Sequence, residues 1–335
     1  MTVTHAPSAE LVFESITSYQ RTAAIKAAIE LDLFTAIADG ASTPSEIART
    51  GGASERGIRI LCDYLTVAGL LEKAGGAYRL TPDTAMFLSK RSPAYMGGMI
   101  GFLLAPEVTG NFDRLAQTIR TGTLPSTSST IAEANPIWIE FARAMAPMAV
   151  VAGQALADFL QLPSDRPFQI LDIAAGHGMY GITMAQRHPL ATVVAVDWPA
   201  VLNVATENAS RAGIASRYRT NPGDAFEVEF GTGFGLALVT NFLHHFSRAT
   251  CVSFLRKVAG ALAPGGQVAV VEFVPNQDRI SPPIPAGFAL TMLAGTPDGD
   301  VYTEADLRGM LAEAGLSEPH VHQLPTPQKV VVARK

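Results

Sequence analysis

The chain is most tightly constrained by one stretch in which a buried strand, a turn of small residues and a helix follow one another without a break. Phe168-Gln169-Ile170-Leu171-Asp172 reads as the strand, Ala174-Ala175-Gly176-His177-Gly178 as the turn, and residues 178–188 as the helix. A buried strand that leads straight into a helix belongs to a parallel sheet, because parallel neighbours need a crossover that returns over the sheet's face. The same alternation runs to the C-terminus. Strands are expected at 192–197, 236–240, 267–274 and 329–333. Helices are expected at 200–212, 249–262 and 303–314, the last opened by Thr303 with Asp306 three residues on. The prediction is an α/β fold, with a doubly wound and mainly parallel sheet over residues 161–335.

Residues 1–95 follow a different rhythm. Leu11, Phe13, Ile16, Tyr19, Ala23 and Ala27 approximate a helical apolar stripe. Thr43-Pro44-Ser45-Glu46 supplies a cap with a proline at the first helical position, Ser54-Glu55-Arg56 starts another helix, and Gly75-Gly76 joins two short strands. Three helices and a hairpin make a winged-helix module. Many such modules read DNA, but here Glu55 and Asp63 cancel Arg56 and Arg59 on the helix that would do so. A net charge of −5 also argues against nucleic acid or an anionic membrane as a partner. Dimerisation, or covering a substrate site, is the expected role of this module.

Between these parts, residues 96–160 form a mainly helical connector rich in Met, Phe and Trp, with a Ser/Thr/Pro linker over 121–130. The N-terminus lacks the basic and apolar regions of a signal peptide, and apolar runs such as 96–106 are too short to cross a bilayer. Cys62 and Cys251 make no disulfide framework, and the spacing of the seven histidines suggests no metal site. A cytoplasmic protein with no metal is expected.

The turn after the first strand of the sheet is suited to a nucleotide. Small residues let a ligand approach the backbone, and the next helix opens with free N–H groups. Asp197 ends the following strand, where a carboxylate can hold both hydroxyls of a ribose. Asp224 lies in the loop Gly223-Asp224-Ala225-Phe226, with Phe226 able to pack on a flat base. Gly176-His177-Gly178-Met179-Tyr180-Gly181 matches the G-x-G-x-x-G fingerprint, so an NAD(P) oxidoreductase competes. Asp172 weighs against that alternative without closing it. A carboxylate there suits the ammonium group of S-adenosylmethionine (SAM) and would repel a pyrophosphate.

On these residues the chain resembles the plant-type and bacterial secondary-metabolite O-methyltransferases, which join a winged-helix dimerisation domain to a Rossmann-like SAM domain. The resemblance spans roughly residues 10–335 and includes Val196-Asp197-Trp198-Pro199-Ala200-Val201, Asn241-Phe242-Leu243-His244-His245-Phe246, Leu262-Ala263-Pro264-Gly265-Gly266 and Tyr302-Thr303. It implies a homodimer formed through the N-terminal domain, and a seven-stranded sheet with one antiparallel strand near the C-terminus. It implies SAM as cofactor, held by Asp172, Gly176, Gly178, Asp197, Trp198, Asp224, Ala225, Phe226 and Asn241. His244 matches the family's catalytic base, and Glu272 one of two acids that orient it.

The chain departs from the family pattern at three places. His245 stands where plant members often carry Asp, Thr240 replaces a frequent lysine, and the second acid falls near Val301, beside Asp300. These departures bear on the acceptor, so C- or N-methylation on the same fold stays open beside O-methylation. His244 is expected at the carboxyl end of its strand, where open α/β sheets place ligands. Trp138, Phe141, Met145, Phe288 and Met292 are the candidates for an apolar acceptor pocket, since Met and aromatic side chains adapt to flat ligands.

Overall fold

The computed structural model describes residues 8–124 and 137–335. The linker expected over 121–130 lies outside the described residues from position 125 on. The chain divides into two compact units, Met1–Ile100 and Gly101–Lys335.

The first unit holds helices α1 (Glu10–Glu30), α2 (Leu33–Ala38), α3 (Pro44–Gly51) and α4 (Glu55–Val67), the hairpin β1 (Leu71–Ala74) and β2 (Ala77–Leu80), and α5 (Pro82–Phe87). Its boundaries follow local chemistry. Thr43 and Glu46 form a reciprocal capping box with Pro44 in the first turn, and Ser54 caps α4 through the Gly57 amide. The register Ala74↔Ala77 leaves Gly75 and Gly76 as a two-residue turn, with φ of +57° and +82°. Glycine accepts those angles without strain. Leu33, Phe34, Ile47, Ile58, Leu65 and Tyr78 fill the core. In contrast, Leu11, Val12, Phe13, Ile16 and Tyr19 of α1 are 58–72% exposed.

The second unit begins one residue into α6 (Ile100–Leu103) and continues with α7 (Pro106–Thr109), α8 (Leu115–Thr121) and the long α9 (Ile137–Phe159). The expected alternation follows as β3 (Phe168–Ile173), α10 (Met179–Arg187), β4 (Ala191–Asp197), α11 (Pro199–Arg211), β5 (Tyr218–Pro222), β6 (Phe234–Thr240), α12 (Arg248–Ala261), β7 (Leu262–Glu272), α13 (Pro283–Gly295), α14 (Glu304–Glu313), β8 (Ser317–Gln323) and β9 (Lys329–Arg334). Among the described residues the seven strands of this sheet run in the order β5-β4-β3-β6-β7-β9-β8, and β9 runs opposite to the other six.

Alternate side chains of the buried strands serve opposite faces. Leu171, Ile173 and Val239 pack with Phe254, Leu255, Leu307 and Leu311 on one side. Ile170, Val193 and Leu238 pack with Leu156, Ile182 and Leu202 on the other. The chain winds outward from β3 in one direction and from β6 in the other. Their adjoining carboxyl ends are therefore a topological switch point, where such sheets bind ligands.

Candidate active site

The end of β3 is built to let the backbone turn tightly. Ala174 has φ +50°, Gly176 +56° and Gly178 +73°. A Cβ on Gly178 would stand 2.5 Å from the Tyr218 hydroxyl and 3.0 Å from Ala205 Cβ, so both angle and space require glycine. Gly181 answers to Asp172. Its amide donates to Asp172 Oδ2 at 3.1 Å, and a Cβ there would come within 2.6 Å of the same oxygen. The third glycine of the fingerprint thus brings α10 close to a buried carboxylate. Asp172 is 1% exposed, and its Oδ1 has no hydrogen-bond partner among the described residues. Burial pushes its pKa up to about 7.

Asp197, at the end of β4, gathers two amides. Oδ2 accepts from Gly176 at 2.8 Å and Oδ1 from Trp198 at 2.7 Å. Desolvation outweighs these bonds and raises its pKa to about 6. The Gly223 amide donates to the Asp197 carbonyl at 2.9 Å, bringing the 223–226 loop to the same corner. There Asp224 Oδ1 accepts from the Phe226 amide, and Lys257 Nζ donates to the Ala225 and Phe226 carbonyls. The ring of Phe226 packs among Phe242, Phe246 and Phe254. The Trp198 side chain joins a small cluster with Trp138, Ala142, Val201 and Val204.

The end of β6 makes a second tight turn. Asn241 takes φ +52°, a left-handed value that asparagine tolerates, and its Oδ1 accepts from Gln328. A single 3-10 turn over Leu243–His245 follows. Glu272, the last residue of β7, organises it. Oε1 accepts the amides of Phe242 at 2.9 Å, Leu243 at 2.8 Å and His244 at 3.4 Å. Oε2 meets His244 Nδ1 at 2.5 Å, and both residues are under 5% exposed. With Nδ1 bound to a carboxylate, the imidazole presents Nε2.

Rings continue outward from His244. Its centroid lies 5.0 Å from Phe288 and 4.3 Å from His245. His245 meets Trp138 edge-on at 5.6 Å, Trp138 meets Phe141 at 5.5 Å, and Phe141 meets Phe102 at 5.0 Å. Three of the five pocket candidates are thus joined to His244 in one run. Met145 and Met292 sit one helical turn beyond Phe141 and Phe288, the first half-buried and the second buried. The run also touches the glycine turn, since a Cβ on Gly176 would stand 4.0 Å from the Phe141 ring.

Phe273, whose ring lies 4.4 Å from that of Phe288 and tilted 37° to it, was not among the sequence candidates. Its position directly after Glu272 was the signal available. At the site of the second acid, Val301 is a buried apolar side chain. Asp300 turns away, accepting from the Val301 amide and pairing with Arg279 at 3.4 Å.

Comparison with known proteins decides the family. Residues 126–317 match the O-methyltransferase domain, and residues 13–90 match the O-methyltransferase dimerisation domain. The chain belongs to the O-methyltransferase family. It is 28% identical over 321 residues to the 3-hydroxy-5-methyl-1-naphthoate 3-O-methyltransferase of Streptomyces sahachiroi, covering 95% of this chain and 92% of that one. A crystal structure from Nostoc punctiforme, assigned to the O-methyltransferases, superposes with a TM-score of 0.93 at 46% identity, over 99% of this chain and 100% of the other.

Human N-acetylserotonin methyltransferase in complex with SAM shares the fold at 22% identity and a TM-score of 0.85, over 100% and 99% of the two chains. This O-methyltransferase-family chain is a SAM-dependent methyltransferase, and its exposed α1 residues 13, 16 and 19 fall inside the matched dimerisation domain. Among the described residues no helix is long and apolar enough to cross a membrane.

Proposed function

We propose that the enzyme methylates a hydroxyl oxygen on a small aromatic acceptor, with His244 as general base and Glu272 holding it in place. The observation that carries this reading is the buried His244–Glu272 pair at the switch point, with Nδ1 committed to the carboxylate. Nε2 is then the nitrogen free to take the acceptor's proton, and Glu272 stabilises the imidazolium that results. Such a base is worth about 10²–10⁴-fold in rate. The apolar rings beside it orient a flat acceptor, and alignment of reacting groups supplies as much as about 7–11 kcal/mol in well-oriented systems.

The residues present fit SAM. Asp172 Oδ1 is a buried carboxylate oxygen that lacks a partner among the described residues, and an ammonium group would satisfy it. Gly176 and Gly178 would lie along the methionine part, Asp197 would take the ribose, and the 224–226 loop would border the adenine. Trp198 and Asn241 would shape the same corner. SAM supplies the electrophilic methyl group, carried on a sulfonium. A homodimer formed through the N-terminal unit is part of the same reading.

The test is calorimetric titration with SAM, S-adenosylhomocysteine (SAH), NAD and NADP, followed by isotope-labelled methyl transfer to a panel of phenols. Binding of the adenosyl ligands alone, lost in Asp197→Ala, and label recovered on oxygen are expected. Nicotinamide binding without adenosyl binding would overturn the cofactor assignment, and label on carbon or nitrogen would overturn O-methylation.

A further inference from the structure

Beside His244 stands a second imidazole that general-base chemistry leaves without a task. His245 is partly covered as a residue, but its Nδ1 is sealed from solvent and has no hydrogen-bond partner among the described residues. A buried ring nitrogen left unpaired is costly and calls for a partner that arrives with the ligand. The neighbourhood narrows what that partner is. On one side lies His244, at 4.3 Å, and on another the edge of Trp138, at 5.6 Å. Behind the turn, the backbone is closed by Gly299, where a Cβ would meet the His244 carbonyl oxygen at 2.5 Å and the His245 carbonyl carbon at 3.2 Å.

The charged groups nearby are engaged elsewhere. Glu272 is bound to His244 and three amides, and Asp300 is bound to Arg279.

We infer that His245 Nδ1 binds a second, uncharged oxygen of the acceptor, a hydroxyl or carbonyl on the ring carbon next to the one bearing the reacting hydroxyl. The inference rests on the methyltransferase reading above and names the acceptor class within it. Two imidazoles 4.3 Å apart address two oxygens on adjoining carbons of one small ring, one served by His244 and the other by His245. The second oxygen is uncharged because the second imidazole is neutral. Burial and the neighbouring His244 hold its pKa well below the usual histidine value. A neutral ring donates to a carbonyl or accepts from a hydroxyl according to its tautomer, whereas a carboxylate would give up its solvation here with no opposite charge to meet it.

The experiment measures binding to the SAH-loaded protein by calorimetry, with 2,3-dihydroxynaphthalene, 2-naphthol and 3-hydroxy-2-naphthoate as probes. The diol is expected to bind about tenfold tighter than 2-naphthol, in line with one well-formed hydrogen bond. His245→Phe should lower that ratio to about two, the statistical advantage of two equivalent hydroxyls, with SAH affinity unchanged. His245→Asn, whose side-chain amide reaches the position of Nδ1, should restore much of the preference.

A diol preference that survives in the Phe variant overturns the inference. So does equal or absent binding of the two neutral probes, or tighter His245-dependent binding of the carboxylate probe. Failure of the parent protein to bind SAH would instead strike the methyltransferase reading on which the inference stands.

Discussion

The two strand ends that meet at the switch point solve the same problem in opposite ways. Each turns through a non-glycine residue in the left-handed region, Ala174 at φ +50° after β3 and Asn241 at φ +52° after β6. Each is also braced by buried carboxylates that accept backbone amides, Asp172 and Asp197 after β3 and Glu272 after β6. After β6 the bracing is complete, because both oxygens of Glu272 are committed to the turn and to His244. After β3 it is unfinished. Asp172 keeps one oxygen unpaired, and burial lifts the pKa of Asp172 to about 7 and that of Asp197 to about 6. A corner that completes itself suits the proposed base, which has to be held still, while a corner left incomplete suits the proposed cofactor, which would supply the missing donors.

The sharpest way to break this contrast is Glu272→Ala. It leaves three amides and an imidazole buried without their acceptor, so urea unfolding should show a loss of about 3–5 kcal/mol, with turnover lost as well. A loss under 1 kcal/mol would mean the turn is held by something other than the carboxylate.

His244→Ala comes next. It keeps the brace and removes only the ring, so turnover should fall about 10²–10⁴-fold while SAH affinity changes little. Steady-state rates beside calorimetry would separate the two quantities, and unchanged turnover would remove His244 from the base role.

The smallest expected effect has the more telling sign. In Asp172→Asn the buried carboxyl is gone from the unfinished corner. An acid whose folded pKa is raised from 3.8 to about 7 keeps its proton in the native state while the unfolded chain has released it. Stability therefore falls as pH rises through that window and stays lower above it. The full shift corresponds to on the order of 4 kcal/mol, against which the unpaired asparagine amide costs about 1–3 kcal/mol. The ligand-free variant should be about 1–3 kcal/mol more stable than the parent at pH 8, with the sign reversing to a loss of about 1–3 kcal/mol below about pH 4, where the parent carboxyl is protonated in both states and only the amide cost remains, while its affinity for SAH drops. Destabilisation at pH 8 would show that the corner is already complete without a ligand.

Much of this could be read from sequence where burial writes a strong pattern. The central strands are unbroken runs such as Val193-Val194-Ala195-Val196, and the caps at Thr43, Ser54 and Thr303 fell where they were expected. The two outer strands were missed. Tyr218–Pro222 and Ser317–Gln323 lie at the sheet's edges, where one side faces solvent, so their residues are mostly polar and each includes a proline. No apolar run announces such a strand. At the site, Glu272 and His244 were paired by family pattern, but the amide-collecting role of Glu272 depends on β6 and β7 being neighbours. The run of rings from Phe102 to Phe273 joins residues distant in sequence, which spacing along a chain does not encode.

Phe141 is shared property. Its ring belongs to the proposed acceptor pocket and also stands 4.0 Å from where a side chain on Gly176 would begin. A lineage that acquires new acceptors by exchanging pocket residues is not free at this position, because every change there is also felt by the loop proposed to hold the cofactor. Phe288 and Met292, carried on a different helix, are under no such double obligation. Divergence among close relatives should therefore accumulate on α13 and spare α9 opposite the glycines, so the history of what these enzymes methylate would be written unevenly around a single pocket.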